Sequence, residues 1–187
     1  MAGKKVEKKL YQEIEIPEGI EVSLENNILK MKKGDKDISR RLHAFIKVNV
    51  ADNKMILSSD RNRKIERKLF GTFRAHLNNM VKGLEEGFTY KLQISNVHFP
   101  MNVSHDKGNN KLVVKNFLGE KIDRIIPLVE GVDIKIDNEI IEINGHDIEK
   151  TGRVATSIEK GTRVRNKDRR VYQDGIFIIE KPGRTYL

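Results

Sequence analysis

Apolar residues recur along this chain with two periods, and the change from one period to the other happens twice. Ile14 and Ile16 alternate with polar neighbours, and Ile20, Val22 and Leu24 do so again after the turn Pro17-Glu18-Gly19. Glu25-Asn26-Asn27 leads into Ile28-Leu29-Lys30-Met31. Gly34-Asp35 leads into a segment around Ile38 that ends at Arg40-Arg41. Ile46, Val48 and Val50 alternate, and Asp52-Asn53 predicts a hairpin onto Met55, Ile56 and Leu57. The period then lengthens. Ile65, Leu69, Phe73, Leu77, Met80 and Leu84 follow helical spacing and predict one long helix with these residues toward a core. Ser59 or Asp60 is its expected cap, and Gly83 and Gly87 its expected end.

The second half repeats the plan. Phe88, Tyr90, Leu92 and Ile94 alternate, Val103 and Leu112-Val113-Val114 follow on either side of a polar loop, and residues 122–128 read as another strand. Val132, Ile134 and Ile136 alternate into Asp137-Asn138, which predicts a hairpin onto Ile140, Ile141 and Ile143. A shorter helix over residues 147–160 uses Ile148, Ala155 and Ile158. The string ADNKMIL at 51–57 matches IDNEIIE at 136–142, and both predicted helices end in Lys-Gly, at Lys82-Gly83 and Lys160-Gly161. The pattern predicts an α+β fold of two tandem duplicated domains, each an antiparallel β-sheet with one α-helix packed on it. Chance recurrence of a common strand–turn–strand–helix unit is the competing explanation. The boundaries expected are a basic N-terminal arm at 1–10 carrying Lys4, Lys5, Lys8 and Lys9, a first repeat at 11–86, a second at 87–170, and a C-terminal strand and tail at 171–187.

Charge changes this picture from a fold to a candidate partner. The net charge is +9 and the segment 150–187 alone carries +6 of it, with Arg outnumbering Lys six to four. Guanidinium forks suit bidentate phosphate contact, so the expected partner is a polyanion: nucleic acid first, an anionic membrane surface second. Within KGTRVRNKDRRVYQDGIFIIEKPGR at 160–184, Lys160, Arg163, Arg165, Lys167, Arg169 and Arg170 are the candidate binding cations. Tyr172 is a candidate stacking face, and Lys181 and Arg184 complete the set. A solvated charged tail is the alternative reading of such a run. The four apolar residues Ile176-Phe177-Ile178-Ile179 argue against it, because a disordered end has no reason to carry them. A second candidate contact surface lies on the polar face of the first helix: Lys64, Arg67 and Lys68 border Gly71, Ala75 and Asn78, where small residues would admit a backbone closely. Gly71 merely tolerated on a solvent face is the competing account.

Other chemistries find little support. The chain has no cysteine, which removes disulfides, thiolate metal sites and a cysteine nucleophile. No two of His43, His76, His98, His105 and His146 have the spacing of a zinc helix motif; His76 reads as structural and His105-Asp106 as part of a turn. Gly34, Gly108 and Gly119 stand singly, so no phosphate-loop or dinucleotide fingerprint is present. No metal, cofactor, small-molecule substrate or membrane association is expected. Without a secretory h-region or a run of about 20 apolar residues, the expected location is the cytoplasm.

The string RVYQDGIFIIEK, preceded by TRVRNKDR, resembles the C-terminal signature of ribosomal protein six of the large subunit, in its archaeal and eukaryotic form. That family carries Phe before the turn and Tyr after it; here Tyr172 and Phe177 stand the other way round, which keeps both rings. The resemblance spans nearly the whole chain. It implies a duplicated two-domain fold with no reaction of its own. It also implies binding of the second domain to large-subunit ribosomal RNA near the factor-binding region and stalk base, among neighbouring large-subunit proteins. It is the resemblance, not the charge, that selects RNA over DNA. A free-standing RNA- or DNA-binding protein and an enzyme acting on nucleic acid are the alternatives that remain.

Overall fold

In the computed structural model, which describes residues 10–51, 53–60 and 62–186, the alternating runs become strands and the two 3.6-period runs become helices. Residues 1–9, with Lys4, Lys5, Lys8 and Lys9 of the basic arm, and Asp52 of the first hairpin lie outside the described residues. The first unit contains β1 (Leu10–Glu15), β2 (Glu21–Glu25), β3 (Ile28–Lys33), β4 (Lys36–Arg41), β5 (Lys47–Ala51), β6 (Lys54–Ser59) and α1 (Lys64–Glu85). The second contains β7 (Phe88–Ser95), β8 (Asn102–Asp106), β9 (Lys111–Lys115), β10 (Arg124–Pro127), β11 (Val132–Asp137), β12 (Ile140–Gly145), α2 (Ile148–Gly161), β13 (Gly175–Lys181) and β14 (Arg184–Thr185). The compact units meet in sequence at Glu86 and Gly87.

The duplication is topological. In the first unit β1-β6-β5 form one antiparallel sheet and β2-β3-β4 another; in the second, β7-β12-β11 and β8-β9-β10 repeat both, strand for strand. The fold is α+β as expected, with the strands of each repeat divided between two sheets. The second copy has one addition. β13 pairs with the far side of β7, and β14 covers the last residues of β13.

The hairpins superpose one residue away from the sequence match. Ala51 pairs with Lys54 and Asp137 with Ile140, and the Ile16 and Ile94 N–H groups donate to the carbonyls of Asn53 and Glu139 at 2.8 and 2.7 Å. Asn53 therefore corresponds to Glu139, not to Asn138, although both asparagines have positive φ, 58° and 49°. A two-residue loop accepts a left-handed Asn at either position, whereas the buried pairs Met55/Leu57 and Ile141/Ile143 fix which side chains face inward.

Each unit buries its own core. In α1 the buried stripe is Phe70, Leu77, Met80, Val81 and Leu84, with Leu69 and Phe73 partly covered. Ile65, expected in that stripe, is 68% exposed, while Glu66 beside it is 5% exposed. The cause is drift: at about 100° per residue, each four-residue step overshoots a turn by about 40°. Ile65, three such steps before Leu77, lies about 120° round from it, while Glu66 lies within about 20°. Ser59 is the last residue of β6 and Asp60 is ion-paired with Lys47, so neither caps α1. Arg63 occupies the cap position without a side-chain bond. Gly83 does not stop α1 either: it lies buried inside it, and Gly87, at φ 76°, makes the left-handed exit. In the second unit the strand expected at 122–128 shortens to β10, with Ile122 83% exposed. These assignments predict that Ile176→Ala, at a side chain with no exposed area, lowers unfolding free energy by about 2–5 kcal/mol. Ile65→Ser should change it by less than about 0.5 kcal/mol. Urea melts of the two variants check both.

Candidate nucleic-acid interface

The basic segment is fixed at both ends. Asp147 caps α2 by accepting from the Glu149 and Lys150 N–H groups, and buried Thr151, Val154, Ala155 and Ile158 hold the helix down. After the helix, Thr162 and Val164 turn inward while Arg163 and Arg165 turn out. This alternation makes a two-faced segment from a run that reads as uniformly basic. The Thr162 hydroxyl donates to the Ile158 carbonyl at 3.1 Å and accepts from the Ile176 N–H at 3.0 Å, joining helix end to strand start. Arg124 closes the same corner. Its guanidinium donates to the Gly161 and Arg163 carbonyls at 3.0 and 3.2 Å, forks onto Glu120 and lies 3.8 Å over the Phe117 ring. The Arg124 hydrogen bond is the main cause holding the Glu120 carboxyl below its ordinary pKa.

At the other end Asp174, 1% exposed, is the anchor. Its carboxylate accepts from the Val97 and His98 backbone N–H groups, both at 2.9 Å, and meets His98 Nδ1 at 2.6 Å. The His98 ring stacks on Tyr172 at 4.8 Å, and Lys167 Nζ stands 4.3 Å from the Tyr172 centroid. Gly175 follows Asp174 with φ 154°; a Cβ there would meet the Phe177 ring at 3.0 Å and the Thr162 carbonyl at 3.4 Å. Between the anchors, Asp168 turns the loop by accepting from the Arg170 N–H with its side chain and from Val171 and Tyr172 with its carbonyl.

This frame sorts the candidate cations into three groups. Lys160, Arg163, Arg169 and Arg170 border a cleft of about 880 Å³ whose apolar wall includes Tyr172 and Phe177. Arg165 and Lys167 border a second depression with Arg124 and Glu120. Lys181 and Arg184 lie at the far end of β13, about 20 Å from its start at ordinary strand rise, where both flank Tyr186. In the first unit Lys64, Arg67, Lys68, Gly71, Ala75 and Asn78 do share the exposed face of α1, and a Cβ on Gly71 would meet nothing within 4 Å. His105-Asp106 is turn chemistry, with Asp106 accepting from Gly108 and Asn109. Among the described residues no group of three or more His, Asp or Glu is placed to hold a metal, and no helix is long and apolar enough to cross a membrane.

The family model for ribosomal protein L6 matches residues 16–87. The large ribosomal subunit protein uL6 of Methanococcus vannielii is 40% identical over 94% of this chain and 96% of its own length. That of Nanoarchaeum equitans is 41% identical over 94% and 95%. The chain belongs to the uL6 family. It is therefore a structural component of the large ribosomal subunit and not an enzyme.

Within this uL6 chain, sequence reasoning found the exposed cations and missed the groups that hold them: Arg124, Glu120, His98 and Asp174. Only Asp174 carried a local signal, as the acidic residue of the Asp-Gly turn. Burial pushes the Asp174 carboxyl up, but the His98 backbone N–H, the His98 ring and the Val97 N–H outweigh it and hold the pKa below the ordinary value. A depressed folded-state pKa contributes stability above the unfolded value of about 3.9, and that contribution is lost as pH falls through the folded value. Acid titration of stability should therefore show a loss below about pH 4 that Asp174→Asn lacks. Chemical denaturation at steps from pH 6 to 2.5 checks it.

Proposed function

We propose that this chain binds large-subunit ribosomal RNA through the second unit, with the segment 160–172 as the principal phosphate-binding surface and Lys181 and Arg184 as a separate outlying contact. The observation that carries this reading is the alternation after α2. Thr162 and Val164 are buried, so Arg163 and Arg165 project from a fixed backbone. The Arg169-Arg170 pair lies beyond a turn set by Asp168. Cations held in place lose less conformational entropy on meeting phosphates than cations on a free tail. The cleft beside Tyr172 and Phe177 has a flat apolar wall and a cationic rim, which suits an unstacked base flanked by phosphates. Tyr172 is already in contact with His98 and Lys167, so it supports the wall rather than offering a bare ring.

The finer placement, near the factor-binding region and stalk base of cytoplasmic ribosomes, is what family resemblance supports. Neighbouring large-subunit proteins are the expected companions. The exposed face of α1 is the proposed secondary contact, with Gly71 leaving room for a close approach. If so, Gly71→Gln should leave the isolated protein at least as stable, by gaining up to about 1 kcal/mol of helix propensity, yet impair its incorporation into subunits. Competition against the parent chain measures this.

The main surface has a sharper test. If the loop neutralises about four phosphates, log K against log salt should have a slope near −3, from roughly −0.7 to −0.9 per phosphate. Replacing Arg169 and Arg170 by Gln should flatten it by about 1.5 while folding stays nearly unchanged. Filter binding of large-subunit RNA at graded salt reads the slope; an unaltered slope in the double variant contradicts the assignment.

A further inference from the structure

Among the described residues the second unit has two strands that the first lacks, β13 and β14, and the place corresponding to β13 is open in the first unit. β7 is paired on both sides, by β12 and by β13, whereas its counterpart β1 is paired only by β6 among the described residues. The equivalence is fixed by the matching bonds from Ile16 and Ile94, which align Glu13 with Lys91, Glu15 with Gln93 and Ile14 with Leu92. Lys91 and Gln93 are the residues that face Glu180 and Phe177 of β13. In an antiparallel strand, N–H and C=O groups point alternately to the two sides. Ile16 and Ile14 spend theirs on β6, so Glu13 and Glu15 turn theirs to the open edge; the Glu13 carbonyl there receives the Gln12 side-chain amide at 3.3 Å. Alongside runs a groove of about 520 Å³ between β1 and α1, lined by the carboxylates Glu13, Glu15, Glu85 and Glu86 and by the cations Arg74 and Lys82. In the second unit the corresponding space, between β7 and α2, is where β13 lies, with its Ile178 N–H donating to Glu159 of α2.

Charge identifies the occupant. Lys91 of β7 pairs with Glu180 of the added strand at 3.0 Å. At the equivalent place the first unit has Glu13, which Lys54 of β6 meets at 3.4 Å, with Glu15 where β7 has Gln93. Aligning the helices on their shared Lys-Gly sets Glu85 opposite Arg163. The polarity of the edge is thus reversed in a chain whose net charge is +9. Such an edge repels phosphates and favours a strand bearing Lys or Arg. We propose that the β1 edge is an acceptor for an extended, basic peptide segment of another protein, which pairs with Glu13 and Glu15 and lies against α1 as β13 lies against α2.

The absence of cysteine gives a direct test. Lys82→Cys, on the rim of the groove, would carry a thiol-linked benzophenone in chains assembled into large subunits. Irradiation should link it mainly to a Lys/Arg-rich stretch of a different protein. Adding Glu15→Pro, which deletes one edge N–H without touching the β6 pairing, should cut the yield at least tenfold. Adducts confined to ribosomal RNA, to residues 1–9 of the same chain or to a second copy would overturn the proposal. So would a basic-peptide adduct whose yield the proline leaves unchanged, or the absence of any adduct from assembled subunits.

Discussion

Everything proposed for the second unit depends on the pairing of β13 with β7. The loop between α2 and β13 has no internal sheet and buries only Thr162 and Val164 within its basic stretch. Its shape is imposed from its ends. At one end the Thr162 hydroxyl bridges helix and strand, and Arg124 covers the adjoining carbonyls. At the other, Asp174 gathers two backbone N–H groups and the His98 ring. Release β13, and both anchors lose a partner together. A buried carboxylate left without its donors is expensive, so the docked arrangement is cooperative rather than a sum of weak surface contacts.

That dependence explains how the repeats differ. Both copies have the same six strands and one helix. Among the described residues only the second extends a sheet, with β13 and β14, and its tail bears most of the net positive charge. The addition covers one edge of β7 and converts a charged segment into a shaped surface. Among the described residues the first copy leaves the β1 edge, bordered by Glu13 and Glu15, without a second strand. One repeated arrangement thus presents a differently charged edge in each copy, Lys91 and Gln93 in one and Glu13 and Glu15 in the other.

Much of this was legible in the residues. Period-two and period-3.6 stretches marked nearly every element, because burial on one face imposes them. The exposed cations were legible for the same reason: charged side chains such as Arg169 and Arg170 stay in solvent unless a buried partner compensates them. The failures share a cause. Ile65 stands four residues before Leu69 yet lies exposed, since repeated four-residue steps drift about 40° each and carry it off the buried face of Leu77 and Leu84. The asparagines of the hairpins align in sequence but not in register, because turn residues tolerate a shift that core residues do not. His98 and Asp174 lie 76 positions apart, and nothing local links them. Contacts made through tertiary pairing leave no period to read.

The central claim is that the phosphate-binding segment is docked before RNA arrives. Amide hydrogen exchange of the free, full-length chain tests it most directly. The N–H groups of Val97 and His98 donate to Asp174, that of Ile176 to Thr162 and that of Ile178 to Glu159 of α2. The account predicts that, without RNA, these four amides exchange as slowly as those in the centre of β7, with protection lost together on unfolding. Exchange at unfolded-chain rates in the free protein, slowing only when RNA is added, would show that the segment folds on binding and would contradict the account.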